Sequence, residues 1–329
     1  MHIPDGYLSP STCATFYAAS CPFWYVALNR VKQQLNTRFI PLVSVFSAFS
    51  FVIMMFNLPL PGGTTGHATG IGIAAVVLGP WAGMLAISIA LLIQAVFFGD
   101  GGVLTFGANC FNIAIMGTLT AAVVNRLIAG NSAATSSRRV VAAGLGGYAG
   151  INVAALLTAL QFGAQPMLFK DAAGVPQYAP YSLALAIPAM MIGHLTFAGF
   201  AEFAVSAGLV SYLQRRDPGL LKGSVSNTRV SARPLWIALA LLMILTPVGL
   251  LAVGTAWGEW SPSEVAALSG VQPAGLERLA SFWTAPIPDY APPILKSASF
   301  GYILSAMAGS GLILLMYLTL SWIFGRRNV

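Results

Sequence analysis

Two of the three histidines in this 329-residue chain stand where they could act together on a metal. The first is at position two, directly after Met1. A bulky second residue is expected to keep Met1 in place, so that the chain begins with a free α-amine beside an imidazole. The amine, the His2 backbone nitrogen and His2 Nδ1 can then close one five-membered and one six-membered ring around a divalent cation. Amines and imidazoles titrate near neutral pH, so a metal displaces their protons at small cost. A terminus of eight residues ordinarily frays. The second histidine gives this one a reason not to.

His67 lies in Leu60-Pro61-Gly62-Gly63-Thr64-Thr65-Gly66-His67-Ala68-Thr69-Gly70. Its glycines let backbone turn and approach a ligand closely. With the N-terminal chelate, His67 makes four nitrogen donors, three of them in one flat set. A square plane suits Ni(II) or Cu(II), whereas Zn(II) prefers a tetrahedron. Co(II) takes an amide nitrogen less readily. Asp5 is expected to hydrogen-bond the turn rather than bind metal. Thr65, Thr69, Gln94, Asn109 and Asn112 are candidates to orient a metal-bound imidazole from outside the ligand set. The amides can equally bridge helices, as can Asn152 and Gln161; Gln94 and Asn109, near the outer ends of their segments, are favoured for the metal. His194 and Glu202 sit inside an apolar run, where a carboxylate is costly and a functional candidate by default. Eight residues apart, they cannot share one small ligand. A structural pairing and a coupling role for Glu202 both stay open.

These side chains must be positioned by helices in a bilayer. The chain is 57% hydrophobic and only 8% charged, with a mean hydropathy of +0.78; soluble proteins carry about a quarter charged residues. Apolar segments run at 10–29, 39–57, 69–80, 82–99, 105–126, 139–162, 180–212, 235–256 and 298–324. Several reach the roughly 20 residues that span a bilayer. The net charge of +7 does not signal nucleic acid, because the basic residues fall between apolar runs and so set topology. With the N-terminus outside and 69–99 read as a hairpin broken at Gly79-Pro80, the cytoplasmic set is Arg30, Lys32, Arg38, Arg126, Arg138, Arg139, Arg215, Arg216, Lys222, Arg229, Arg233, Arg326 and Arg327. Only Lys170, Arg278 and Lys296 fall outside. Nine crossings follow, the third of them short enough to need shelter from surrounding protein. No cleavable signal peptide is expected, since Asp5 precedes the first apolar run and no basic region leads it. Cys13, Cys21 and Cys110 have no metal-site spacing and read as small packing residues.

The expected architecture is an all-α polytopic membrane protein. A seven-helix metal-binding body covers 1–212, a basic cytoplasmic linker 213–234, and a two-helix module 235–329 with an outer loop at 257–297. No His-Glu-x-x-His pair, phosphate-cradling loop or Gly-x-Ser-x-Gly context is present. An ATPase motif is therefore missing, and uphill transport by ATP would need other subunits.

Met1-His2-Ile3-Pro4-Asp5-Gly6-Tyr7-Leu8-Ser9 resembles the N-terminal signature of the CbiM/NikM cobalt/nickel permeases, the substrate-capturing S-components of energy-coupling-factor (ECF) transporters. Gly62 to Gly70 resembles the second ligand-bearing loop, and Gly107-Ala108-Asn109-Cys110-Phe111-Asn112-Ile113-Ala114 resembles the family's Gly-x-Asn-x-x-Asn segment. The likeness covers residues 1–212. Gly275-Leu276-Glu277-Arg278 and Pro288-Asp289-Tyr290 resemble the small NikN/PDGLE-type partner, although Pro273-Ala274-Gly275 stands where that family has Pro-Asp-Gly. The resemblance implies an S-component-like bundle in the bacterial cytoplasmic (inner) membrane, importing Ni(II) or Co(II) with no organic cofactor. Its metal would be held by the terminal amine, the His2 nitrogens and His67. Its partners would be a transmembrane T-component (CbiQ/NikQ-like) and cytoplasmic ATPases (CbiO/NikO-like), and the fused module would assist loading or gating. Nickel is favoured by the planar site. A cobalt-specific uptake component for cobalamin synthesis is the alternative, and an intramembrane hydrolase using His194 and Glu202 a more distant one.

Overall fold

A computed structural model describes residues 1–32, 39–60, 64–222, 233–252 and 254–325. Pro61, Gly62, Gly63, Arg38, Arg229, Arg326, Arg327 and part of the expected linker, 223–232, lie outside the described residues. The architecture is that of an all-α polytopic membrane protein. The helices are α1 (Pro10–Lys32), α2 (Phe39–Met54), α3 (Ile71–Val77), α4 (Gly79–Phe98), α5 (Phe106–Ala129), α6 (Ser137–Leu168) and α7 (Leu183–Arg216). They are followed by α8 (Arg233–Leu245), α9 (Pro262–Ser269), α10 (Ala274–Ala280) and α11 (Ala298–Gly325). Helices α4, α5, α6, α7 and α11 are each long and apolar enough to cross a membrane.

The segment 69–80 forms a shorter helix than its apolar run suggested. Seven residues of α3 rise only about 10 Å, a third of the hydrocarbon core. Gly79, at φ +76°, turns the chain directly into α4. Ile71, Ile73 and Ala74 of α3 are fully buried, the shelter that a helix too short to span requires. The hairpin reading holds in one respect: His67 and Gly101, at its two ends, both lie against His2. The glycine-rich stretch also contains a strand pair, β1 (Leu58–Leu60) with β2 (Thr64–Gly66), antiparallel with Pro59 opposite Thr65. Cys13 and Cys110 are buried packing residues as expected, whereas Cys21 is exposed on α1.

Three helices contain π-helical turns: Gln94–Phe98 in α4, Cys110–Gly117 in α5 and His194–Ala198 in α7. Such bulges concentrate at functional sites. Each one here begins at or next to a polar residue singled out from the sequence: Gln94, Asn109 or His194.

One end of the bundle is closed by chain segments that are distant in sequence. Ala179 N–H donates to Tyr7 O (3.0 Å), Leu276 N–H to Gln177 O (3.0 Å) and Ile287 N–H to Phe97 O (3.0 Å). The Tyr7 hydroxyl donates to Trp260 O (2.7 Å). Tyr7, Phe162, Tyr181, Trp257 and Trp260 form one aromatic cluster beneath this seam. Two of the basic pairs lie near one another. Gln214, one residue before Arg215-Arg216, donates to the carbonyls of Ala134 and Ser136 (both 2.9 Å), which precede Arg138-Arg139.

Gly6 sits in the seam at φ +90°, and a Cβ there would meet Leu276 O at 2.6 Å. Gly6→Ala is therefore expected to destabilise by about 1–3 kcal/mol through left-handed strain, with the clash adding to it. A melting temperature in detergent unchanged from wild type would refute this.

Candidate metal site at the N-terminus

The N-terminal nonapeptide is folded into the bundle, and each residue that holds it can be named. Asp5 turns its carboxylate onto the start of α5, accepting from Val103 N–H (3.1 Å), Leu104 N–H (2.8 Å) and Thr105 N–H (3.3 Å). Burial raises its pKa, opposed by those backbone donors. The closeness demands glycine: a Cβ on Gly102 would fall 2.0 Å from an Asp5 carboxylate oxygen. Asn109 clasps Ile3 from both sides of its backbone. Ile3 N–H donates to Asn109 Oδ1 (2.8 Å), and Asn109 Nδ2 donates to Ile3 O (3.0 Å). Ile3 O also accepts from Gly102 N–H (2.9 Å) and from the Thr105 hydroxyl. Ser9 N–H donates to Gln165 Oε1 (2.9 Å), fixing the entry to α1.

This clamp buries Met1 and His2 together. The Met1 ammonium contacts Glu259 Oε1 at 2.8 Å. His2 Nδ1 lies 2.7 Å from Asp100 Oδ1. Nε2 is buried without a hydrogen-bond partner. The ring stacks on His67, with centroids 5.1 Å apart and planes inclined by 25°.

His67 Nδ1 donates to the carbonyl of its neighbour Ala68 (3.1 Å). That assignment leaves Nε2 as the lone-pair nitrogen. Burial, with repulsion from His2 and the terminal ammonium, lowers the His67 pKa to about 3, against the pull of Asp100 and Ala68 O. The ring is thus neutral and ready to ligate at any physiological pH. Asp100 is held below the usual carboxylate range. Burial pushes it up, but the His2 ring, then His67 and the Tyr290 hydroxyl, outweigh that.

The supporting candidates divide. Gln94 Nε2 donates to Asp100 Oδ2 (3.0 Å) and so acts on His2 through one intermediary. Asn109 holds the Ile3 backbone instead of an imidazole. Asn112 pairs with Thr158 (3.1 Å) and Gln161 (3.0 Å) and is helix-to-helix glue. Thr65 is buried in β2, its partnership that of the strand ladder with Pro59. Asn152 donates to Tyr148 O within its own helix.

Glu202 is fully buried, and it secures the loop behind His67. It accepts from Thr69 N–H (2.7 Å) and the Thr69 hydroxyl (3.2 Å), from Gly70 N–H (2.9 Å) and Gly72 N–H (3.1 Å), and from Ser206 (3.2 Å). Gly70 and Gly72 N–H are orphan donors of the first turn of α3, where a carboxylate belongs. His194 Nδ1 bonds Met190 O (2.7 Å) in its own helix. No hydrogen bond or ion pair joins it to Glu202 among the described residues, so the hydrolase pairing has no geometric basis there.

Asp100, Glu259 and Tyr290 were not singled out for the site in the sequence. The outward placement of the two acids was a faint signal. Among the described residues, no three His, Cys, Asp or Glu side chains converge as a metal site. A cation held here has to draw on the amine and backbone nitrogen as well as on rings. A cavity of about 460 Å³ adjoins the site, lined by Asp5, Tyr7, Gly102, Glu259, Trp260 and Asp289.

Fold and site define a multi-pass membrane protein with a buried nitrogen-donor cluster at its own N-terminus. The model for the CbiM family, described as a cobalt uptake substrate-specific transmembrane region, matches residues 2–220, and the chain belongs to that family. The PDGLE domain matches residues 232–326. The fused nickel transport protein NikMN of Rhodobacter capsulatus is 54% identical over 95% of both chains. A probable fused nickel transport protein, LarMN, of Lactiplantibacillus plantarum is 42% identical over 96% of both. The crystal structure of a truncated transition metal transporter superposes with a TM-score of 0.62 at 46% identity, covering 66% of this chain and 99% of that one.

Two outcomes test this geometry. The His67 ring is expected to remain neutral at pH 5 in histidine ¹⁵N spectra. Since its folded pKa lies below the unfolded value, stability should fall as pH drops from about 6.5 towards 3; protonation near pH 6.5 would contradict the burial argument. Glu202→Gln turns an NH₂ towards N–H donors, and should cost about 2–4 kcal/mol in unfolding free energy. A neutral effect in denaturant titrations would remove Glu202 from this role.

Proposed function

We propose that the chain captures Ni(II), or Co(II), outside the cytoplasmic membrane as the substrate-binding subunit of an ECF-type importer. The cation is bound by the Met1 amine, the His2 backbone nitrogen and Nδ1, and His67. The observation that carries this is the burial of a chain terminus beside two imidazoles, with the Met1 amine and His2 Nδ1 each facing one carboxylate oxygen. Part-buried carboxylates beside nitrogen donors call for a cation between them. A cation taking the amine and Nδ1 replaces Glu259 and Asp100 as their partners. The acid-lined cavity supports its approach, because carboxylates concentrate cations at a mouth.

The division into a 1–212 body, a 213–234 linker and a 235–329 module is supported by two separate family matches, at 2–220 and 232–326. The N-terminus lies outside, which places the basic helix ends in the cytoplasm. ATP hydrolysis belongs to partner ATPases, coupled through a T-component. Nickel is favoured over cobalt by the planar donor set and by the names of the two full-length relatives. A role in cobalamin supply is the alternative, since the matching family model is described as a cobalt uptake region.

The test is Ni(II) and Co(II) binding by purified protein with its native N-terminus, beside the same protein carrying two extra residues. The extension is expected to abolish binding, since it removes the amine and shifts His2 out of register. His67→Ala should weaken binding strongly and His194→Ala should not. Equal binding with and without the extension would move the site elsewhere.

A further inference from the structure

Tyr290, in the C-terminal part of the chain, reaches Asp100, the acid that faces His2 Nδ1. Its hydroxyl donates to Asp100 Oδ2 (2.5 Å) and accepts from Gln94 Nε2 (2.9 Å). The same Asp100 oxygen takes a second bond from Gln94 (3.0 Å). With Oδ2 pinned twice, Oδ1 is left facing His2 Nδ1 at 2.7 Å.

The ring of Tyr290 is built in as firmly as its hydroxyl. It stacks on Phe98 (4.8 Å between centroids) and meets Phe51 and Tyr302 edge-on. Its carbonyl accepts from Ser305 (2.9 Å). Asp289 and Tyr290 are the two described non-glycine residues with positive φ, at 53° and 60°. Consecutive left-handed residues with side chains persist only where surrounding structure over-determines them, and they cluster at functional sites. The strain delivers one hydroxyl to Asp100.

We propose that Tyr290 is a positioning residue of the metal site, holding Asp100 so that Oδ1 faces the place a cation takes at His2 Nδ1, and that the C-terminal part of the chain thereby tunes metal affinity without supplying a ligand. The inference rests on the N-terminal chelate as the site. Partners one step outside a ligand set typically change metal affinity by 10–100-fold when lost. Tyr290→Phe keeps the ring packing and removes the single hydroxyl.

The experiment is Ni(II) titration of full-length protein with a native N-terminus, as wild type, Tyr290→Phe and Trp283→Phe. Trp283 donates to Val96 O (2.8 Å) in the same seam but does not touch Asp100. Tyr290→Phe is expected to bind Ni(II) 10–100-fold more weakly. The d–d absorption band of its bound metal should shift, a readout that loose packing alone does not move. Trp283→Phe should match wild type in both. Affinity in Tyr290→Phe equal to or tighter than wild type, or a fall matched by Trp283→Phe with no band shift, overturns the proposal. Wild type that binds no Ni(II) overturns the chelate reading itself, and the two failures are thereby distinct. If Tyr290→Phe does not fold, Gln94→Leu, which leaves the phenol in place and removes the second pin on Oδ2, is expected to show a smaller weakening with the same band shift; wild-type behaviour there is equally fatal.

Discussion

Everything at this end of the molecule depends on holding a charged chain terminus away from water. A free terminus loses conformational freedom and hydration when buried, and neither loss is recovered by apolar contact. The recovery comes from a dense set of directed bonds: Asn109 on both faces of Ile3, Asp5 on three successive amides, and Gln165 on Ser9. Each bond converts a flexible peptide into a fixed arm. Asn109 does this most economically, because a single amide side chain presents a donor and an acceptor at the spacing of a backbone pair. The polar residues inside the apolar helices are thus explained in large part by what they hold rather than by what they bind.

The second arm is held by a different device. The loop carrying His67 enters α3, whose first-turn amides have no partners within the helix. Glu202 gathers two of them, with the Thr69 amide just before and two hydroxyls. A carboxylate buried among helices with no cation among its described partners is costly in itself; here the positive end of α3 and five donors offset that. The sequence posed the question of pairing or coupling for Glu202; the geometry shows a structural partnership, with backbone donors at the start of α3. This also accounts for the shortness of α3. Its single pair of turns is enough to present a capped terminus to Glu202 before Gly79 turns the chain away.

Much of this was legible beforehand. Long apolar runs declare membrane helices because hydropathy summed over about 20 residues is a strong signal, and α4 to α7 and α11 fall close to where they were read. The juxtaposition of His2 and His67 was legible because topology put both on one face and few other nitrogen donors exist in the chain. Three features were not. The break at Gly79 was read, and its positive φ bears that out, but the small extent of α3 was not, because hydropathy does not sense where a buried helix starts. Asn109 and Asn112 share one motif and adjacent turns, yet one grips the N-terminus and the other bridges helices; only the facing residues decide which. Asp100, Glu259 and Tyr290 act on partners remote in sequence, Glu259 on the terminal amine itself, and no local pattern encodes such contacts.

Charge explains why the N-terminal site engages both parts of the chain. A divalent cation in a buried setting carries a desolvation penalty that neutral nitrogens alone do not cancel. Opposite unit charges about 4 Å apart at a protein's effective dielectric attract by about 4 kcal/mol, so each nearby carboxylate matters. Asp100 comes from the loop after α4 and Glu259 from the segment before α9, one from each family match. The first stands at His2 and the second at the terminal amine, so the imidazole and the amine are paired with acids from the two halves. A body without the C-terminal part would keep Asp100 but lose Glu259 and the phenol that orients Asp100. In that sense the fusion contributes field and alignment, while the nitrogens that would bind the cation all come from Met1, His2 and His67.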